Sequence, residues 1–276
     1  MAGNIILEET IAKVREIIGE ELEHIVVERA VLGLFFSGVK LNTGHGGLCF
    51  TPLKEIPEAV CCPSSARAMP LPGKLSGRKA NDYLKDIFGE NILKKSLGIA
   101  TLNALSTLCW EKMDHKDYEL VYGVDAFDEL TFSSEDKVIV IGALVPMLRR
   151  LIAENIDFRV LEMDSATLKP QEMQFYAPAD QAQLYLPQAD CAVITGVTLL
   201  NDTLPELLDM TKAGADILVT GPTASMLPDA MFSRGVTLLG GIVVTKADEL
   251  LDVISEGGSG YHFFGKSAER LVIRRK

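Results

Sequence analysis

Five apolar runs in the second half of the chain limit its fold more than any other feature. They are KVIVIG (137–142), DFRVLEM (157–163), ADCAVITG (189–196), ADILVTG (215–221) and VTLLGGIVV (236–244). Helical patterns stand at 144–154, 203–213, near 225–232 and at 246–256. A strand that is apolar throughout, with no polar alternation, needs cover on both of its faces. Such strands alternating with helices predict an α/β unit: a parallel sheet with helices on either side, a Rossmann-like doubly wound domain.

The first half reads differently. Ile6, Ile11, Val14, Ile17 and Ile18 fall on one face of a helix, with Glu and Lys opposite. HIVVERAVLGLFFSGVKL (24–41) predicts two adjoining strands, with Gly33 and Gly38 as sites for bends or bulges. NTGHGG (42–47) is a glycine-rich loop, LCFTP a further short strand, and the proline-rich stretch 52–75 a loop. Two helices are expected, roughly at 76–88 and 91–110. This order describes an α+β unit. The pattern breaks in MDHKDYELVYGVDAFDEL (113–130), so the expected domains are 1–118 and 119–276. Neither an internal repeat nor a low-complexity tract is visible.

Charge narrows the function. Lys and Arg number 27 against 38 Asp and Glu, a net −11. Residues 1–118 hold 14 against 15 and residues 119–276 hold 13 against 23, so nearly all of the excess lies in the second half. Nucleic-acid binding needs a basic field and is not expected. With 47% apolar residues the chain can bury a sizeable core, yet no apolar run reaches the roughly 18 residues of a membrane span. The N-terminus lacks a basic start followed by an apolar block, so a cytoplasmic location is expected. The five cysteines, Cys49, Cys61, Cys62, Cys109 and Cys191, are odd in number and include no CxxC. That argues against a disulfide framework and against a structural zinc site. The expected partner is a small molecule or a metal ion, with a homodimer as the base-rate oligomer.

Open parallel sheets bind ligands beyond the carboxyl ends of their strands. Here those ends carry Gly142, Glu162 with Asp164, Thr195-Gly196, Gly221-Pro222-Thr223 and Gly240-Gly241. After Gly142 comes ALVP, which is not the GxGxxG of a dinucleotide site. Glu162 nonetheless stands 20 residues beyond Gly142, the spacing of a carboxylate that grips a ribose. The stretch ITGVTLLNDTLPELLD (194–209) has more hydrogen-bonding groups than a strand-to-helix turn needs. Asp202 or Thr203 suffices as a helix cap, which leaves Thr195, Thr198 and Asn201 for a ligand. A second polar turn, Thr220 to Ser225, follows the next strand.

In the first half, His45 lies between glycines and can serve as acid, base or metal ligand. Cys49 and the vicinal Cys61-Cys62 read as buried or loop thiols before they read as metal ligands. His24, His115 and His262 show no partners in sequence, and Met210, Met226 and Met231 fit helix faces. Asn103, set among small apolar residues, needs a partner if buried, either a neighbouring loop or a ligand at the domain interface.

GIATLNAL (98–105), VIVIGALVP (138–146), LEMD (161–164), TGVTLLNDTL (195–204) and GPTASMLP (221–228) together resemble the family described as putative heavy-metal chelation proteins, once a domain of unknown function. The resemblance covers nearly the whole chain, with Thr where Ser is more usual at 223. It implies an enolase-N-terminal-like domain followed by a Rossmann-like one, with the site in the cleft between them. Gly142, Glu162, Thr195, Gly196, Asn201, Gly221 and Thr223 would line one wall, and His45 and Asn103 the other. Glu162 and His45 would coordinate a metal or move a proton. The cargo would be a divalent or heavy metal ion, alone or bound to an organic chelator. The competing expectation is a Rossmann-like enzyme that uses a nucleotide-type cofactor on a small metabolite, for instance in the synthesis of a chelator.

Overall fold

The computed structural model describes residues 4–55, 71–114 and 117–276, so Cys61, Cys62 and His115 lie outside the described residues. The chain opens with helix α1 (Ile5–Ile18), whose N-cap Asn4 accepts a hydrogen bond from the Leu7 N–H. Ile6, Leu7, Ile11, Val14 and Ile18 bury the apolar face read from the sequence. Strands β1 (Val27–Leu32), β2 (Phe36–Leu41) and β3 (Gly46–Phe50) form an antiparallel sheet in the order β1-β2-β3. Its bulge falls at Glu28, where the register shifts between Val27 and Arg29, and not at Gly33 or Gly38. Helices α2 (Ala80–Asp86) and α3 (Ile92–Lys112) follow.

The small residues of α3 have a packing reason. A Cβ on Gly47 of β3 would stand 2.1 Å from the Ala100 carbonyl and 3.1 Å from the Ala104 Cβ. Strand and helix therefore approach to backbone contact, which only glycine facing alanine allows. The helix is buried from Leu93 through Ser106 apart from Lys94.

The remaining strands form one sheet of eight among the described residues. In chain order its elements are β4 (Tyr118–Tyr122), β5 (Lys137–Ile141), α4 (Val145–Ala153), β6 (Asp157–Glu162), β7 (Tyr176–Pro178), α5 (Ala182–Tyr185), β8 (Cys191–Thr195), α6 (Val197–Leu200), α7 (Leu204–Met210), β9 (Asp216–Thr220), α8 (Asp229–Phe232), β10 (Leu238–Val244), α9 (Ala247–Ser255), α10 (Gly260–Phe263) and β11 (Ala268–Arg275). The order across the sheet is β4-β11-β10-β9-β8-β5-β6-β7. The pairs from β10 to β7 are parallel, and β11 joins β10 and β4 antiparallel. The expected apolar strands are all present. Strands β4, β7 and β11 extend the sheet beyond them.

Burial on both faces follows the strand alternation. Val138, Val140, Val160, Val193 and Leu218 pack with Met147, Leu148 and Leu151 of α4 on one side. Ile139, Ile141, Ile194, Ile217 and Val219 point to the other, where they join a cluster that continues through α1 and α3. Elements from both halves of the chain thus share one core. No helix among the described residues is long and apolar enough to cross a membrane.

Candidate functional site

The chain winds from β5 outward through β6 to β7, then returns to β8 on the other side of β5 and continues through β9 to β10. Strand order reverses between β5 and β8, so the crevice beyond their carboxyl ends is where such a sheet opens to a ligand. Gly142 and Thr195 meet there. Gly142 has φ +93°, and a Cβ on it would lie 2.8 Å from the Thr195 Cγ2. The backbone turns in a left-handed conformation hard against the threonine methyl, which excludes other side chains.

The first turn presents few open donors. The Ala143 N–H binds the Glu162 Oε2 at 2.9 Å. Leu144 N–H donates to the Gly142 carbonyl and Val145 N–H to that of Ala143, and Pro146 has no N–H. Both oxygens of Glu162 are engaged as well, because its Oε1 accepts from Met163 and Asp164 N–H at 2.8 and 3.2 Å. The carboxylate ties the end of β6 to the turn after β5. Asp164 pairs with Lys54, whose hydrogen bond, with that of the Ala166 N–H, holds the carboxyl below its ordinary range.

The polar groups after β8 bond mostly to one another. Thr198 Oγ1 donates to the Thr195 carbonyl at 2.7 Å, and Gly196 N–H to the Thr220 carbonyl at 2.7 Å. Asn201 Oδ1 accepts from Thr203 Oγ1 at 2.7 Å and from Thr203 N–H at 3.3 Å. Thr203 stands at the N-cap of α7, but neither its side chain nor that of Asp202 caps the helix. Asp202 takes φ +62° and pairs with Lys95. After β9, Gly221 turns with φ +121° into a single 3-10 turn, Pro222–Ala224.

That turn is stitched to the first half. Phe50 N–H donates to Thr223 Oγ1 at 3.0 Å, and Ser96 Oγ to the Phe50 carbonyl at 2.8 Å. Asn103 Nδ2 faces the carbonyls of Leu48 at 2.8 Å and of Pro222 and Thr223 at 3.1 Å. Its Oδ1 is buried without a hydrogen-bond partner. Asn4 Nδ2 reaches the Leu199 carbonyl at 3.0 Å. Between Phe50 and Lys54 the chain passes from Thr223, beyond β9, to Asp164, beyond β6, and so crosses the strand ends.

The sequence-derived residues divide accordingly. Gly142, Glu162, Thr195, Gly196, Asn201, Gly221 and Thr223 gather along the strand ends, and Asn103 joins them through Thr223. His45 is placed elsewhere. It sits in the turn before β3, with Thr43 Oγ1 2.9 Å from Nδ1 and Glu111 Oε2 3.1 Å from Nε2. Sequence reading missed Lys95, which is only 6% exposed. No local mark sets it apart from Lys94, because the residues four and seven on from either lysine, Ile99 and Leu102 or Gly98 and Thr101, are all buried. Sequence reading also missed Lys54, which carries no such mark either.

The thiols Cys49, Cys109 and Cys191 are free and buried, and burial pushes each up to about 12. Hydrogen bonds with Ser96 and Thr223 offset this only in part for Cys49. Among the described residues no three His, Cys, Asp or Glu side chains stand together as a metal site. A shallow depression of about 190 Å³ lies away from the crevice, at the other end of β5 and β6, beside Lys137, Asp157, Arg159 and Gln188.

Comparison with known proteins supplies the context. A family model with the description "Putative heavy-metal chelation" (DUF364) matches residues 125–273, and a second with the same description (DUF4213) matches residues 15–106. An uncharacterised protein of Methanocaldococcus jannaschii is 30% identical over 180 residues, which span 64% of this chain and 65% of that protein. A crystal structure from Pyrococcus horikoshii, of a DUF364 protein of unknown function, superposes with a TM-score of 0.76 at 20% identity, covering 98% of this chain and 99% of the other. Another DUF364 structure, from Desulfitobacterium hafniense, gives 0.69 at 20% identity, covering 99% and 100%. At that identity both show the fold alone.

Proposed function

This chain belongs to the family described as "Putative heavy-metal chelation", and from that premise we propose that its strand-end crevice takes a small organic chelator, which brings any metal with it. The crevice would lie between domains 1–118 and 119–276, under the segment that runs from Phe50 to Lys54. The observation that carries this reading is the state of the donors. Glu162 has both oxygens on backbone N–H groups, and His45 is engaged at both ring nitrogens away from the crevice. The thiols of Cys49, Cys109 and Cys191 are buried, and among the described residues none of them belongs to a group of three His, Cys, Asp or Glu side chains that could hold an ion. These side chains do not fit coordination of a bare ion, so a metal arriving here needs ligands of its own.

The reading as a nucleotide-dependent enzyme has less support. A pyrophosphate needs open backbone N–H groups at the first turn, and those of Ala143, Leu144 and Val145 are already bonded. Glu162 at the ribose-binding spacing is likewise engaged.

Calorimetry on the untagged, reduced full chain tests the proposal. The titrants are Ni²⁺ alone, nitrilotriacetate alone and their equimolar complex. The expected result is that the chelator, free or loaded, binds at least about tenfold more tightly than the bare ion. Stoichiometric binding of Ni²⁺ alone, as tight as that of the complex, would overturn it.

A further inference from the structure

Lys95 is a lysine with 6% of its surface exposed, in the stretch of α3 from Leu93 to Ser106 that is buried apart from Lys94. Ammonium groups are rarely buried to this degree unless fully paired, because desolvation is expensive. Among the described residues the one hydrogen-bond partner of this ammonium is Asp202 Oδ2. An ammonium carries three N–H donors, so this contact leaves donor capacity inside the protein. Asp202 is the half-exposed member of the pair, with 46% side-chain exposure. It lies one residue beyond Asn201, on the connection that begins at Gly196, and its φ of +62° turns the chain at that point. A second buried polar atom without a partner, Asn103 Oδ1, lies two helical turns further along the same helix.

We infer that Lys95 anchors a carboxylate of the bound molecule, and that the carboxylate competes with Asp202 for the ammonium. This rests on the proposal that the crevice binds an organic chelator, and it specifies the class: a carboxylate-bearing one. A phosphate group fits less well. The turn after β5 offers no cradle of free N–H groups, and the three carboxylates of Glu162, Asp164 and Asp202 outnumber the two lysines, Lys54 and Lys95, that pair with Asp164 and Asp202. A carboxylate brings a single charge, and one lysine suffices to meet it. The same acidic rim favours a chelator whose remaining charge is neutralised by its metal.

The test uses the untagged full chain and nitrilotriacetate, with and without Ni²⁺, by calorimetry. The variants are Lys95→Met, close in shape without the charge, and Asp202→Asn, which removes the competitor and keeps the side-chain outline. Lys95→Met is expected to weaken binding by about tenfold or more, and Asp202→Asn to tighten it severalfold. If the wild-type protein binds no form of the probe, the crevice proposal itself fails, and this inference with it. If the wild type binds and folded Lys95→Met binds within about twofold of it, the anchor is refuted while the crevice proposal stands. Should Lys95→Met not fold, Asp202→Asn decides alone: unchanged or weakened binding refutes the competition.

Discussion

Replacing Asn103 by Asp changes one NH₂ into an oxygen and almost nothing in shape. The NH₂ faces three carbonyl oxygens, of Leu48, Pro222 and Thr223, at 2.8 to 3.1 Å. An ionised carboxylate would point its charge at those oxygens in a site that is 2% exposed, so the folded Asn103→Asp protein should hold the new carboxyl protonated. The unfolded chain releases that proton near pH 3.9, about the ordinary Asp value. Between there and pH 7 lie about three pH units, each worth about 1.4 kcal/mol, so the protonation cost reaches about 4 kcal/mol at neutral pH.

The sign follows from proton counting. Above about pH 3.9 the native state binds more protons at this position than the unfolded state does, so stability falls as pH rises, until the pH reaches the folded pKa. Below the unfolded value only the loss of one N–H donor remains, about 1 kcal/mol. Urea denaturation of Asn103→Asp and wild type at about pH 4.5, 5.5 and 7 measures the difference directly, and it should widen by more than about 2 kcal/mol across that range. A difference that stays constant with pH would show that the carboxylate finds water or a cation, and that the seam between β3 and the turn at Pro222–Ala224 is not sealed.

Two further outcomes follow from the geometry. Gly142→Ala should cost about 1–3 kcal/mol by chemical denaturation, from the positive φ and the Thr195 methyl at 2.8 Å together; in a Thr195→Ser background, which removes that methyl, the cost should fall towards the backbone share alone. A Cys61→Ser/Cys62→Ser protein should leave an aromatic disulfide reagent unconsumed in its native state at pH 8 and release three equivalents in denaturant, because Cys49, Cys109 and Cys191 are buried with thiols raised to about 12. Rapid native labelling would contradict that burial.

The strand-end residues are legible in the sequence because they depend on one inference. Once the apolar runs are parallel strands, the residues after each run must lie at one edge of the sheet, and Gly142, Glu162, Thr195 and Gly221 follow by position. What these residues do there is not legible. Glu162 has the spacing of a ribose-binding acid, yet it holds the backbone amides of residues 143, 163 and 164. Competition among nearby hydrogen-bond partners decides this, and the sequence pattern does not encode their geometry. The surplus of polar groups in TGVTLLNDTL is likewise partly local, since Thr198 and Asn201 bond within their own connection.

The amino-acid sequence by itself determined the α/β class and the parallel strands, because apolar periodicity is a local property that burial on two faces imposes directly. It also placed the helix of small residues at 98–108. Tertiary structure alone decided that AERLVIRR and YELVY join the sheet as antiparallel neighbours, β11 between β10 and the edge strand β4, since their mixed charged and apolar residues lack the continuous apolar runs of the parallel strands and their register comes only from long-range pairing. It likewise decided that Gly47 meets Ala100 across the seam. Through the packing of α3 against the strand ends, it also left one lysine of the Lys94-Lys95 pair partly exposed and buried the other beside Asp202. Two adjacent lysines are chemically identical in sequence. Only the direction in which a packed helix faces makes one of them a solvated charge and the other a buried one.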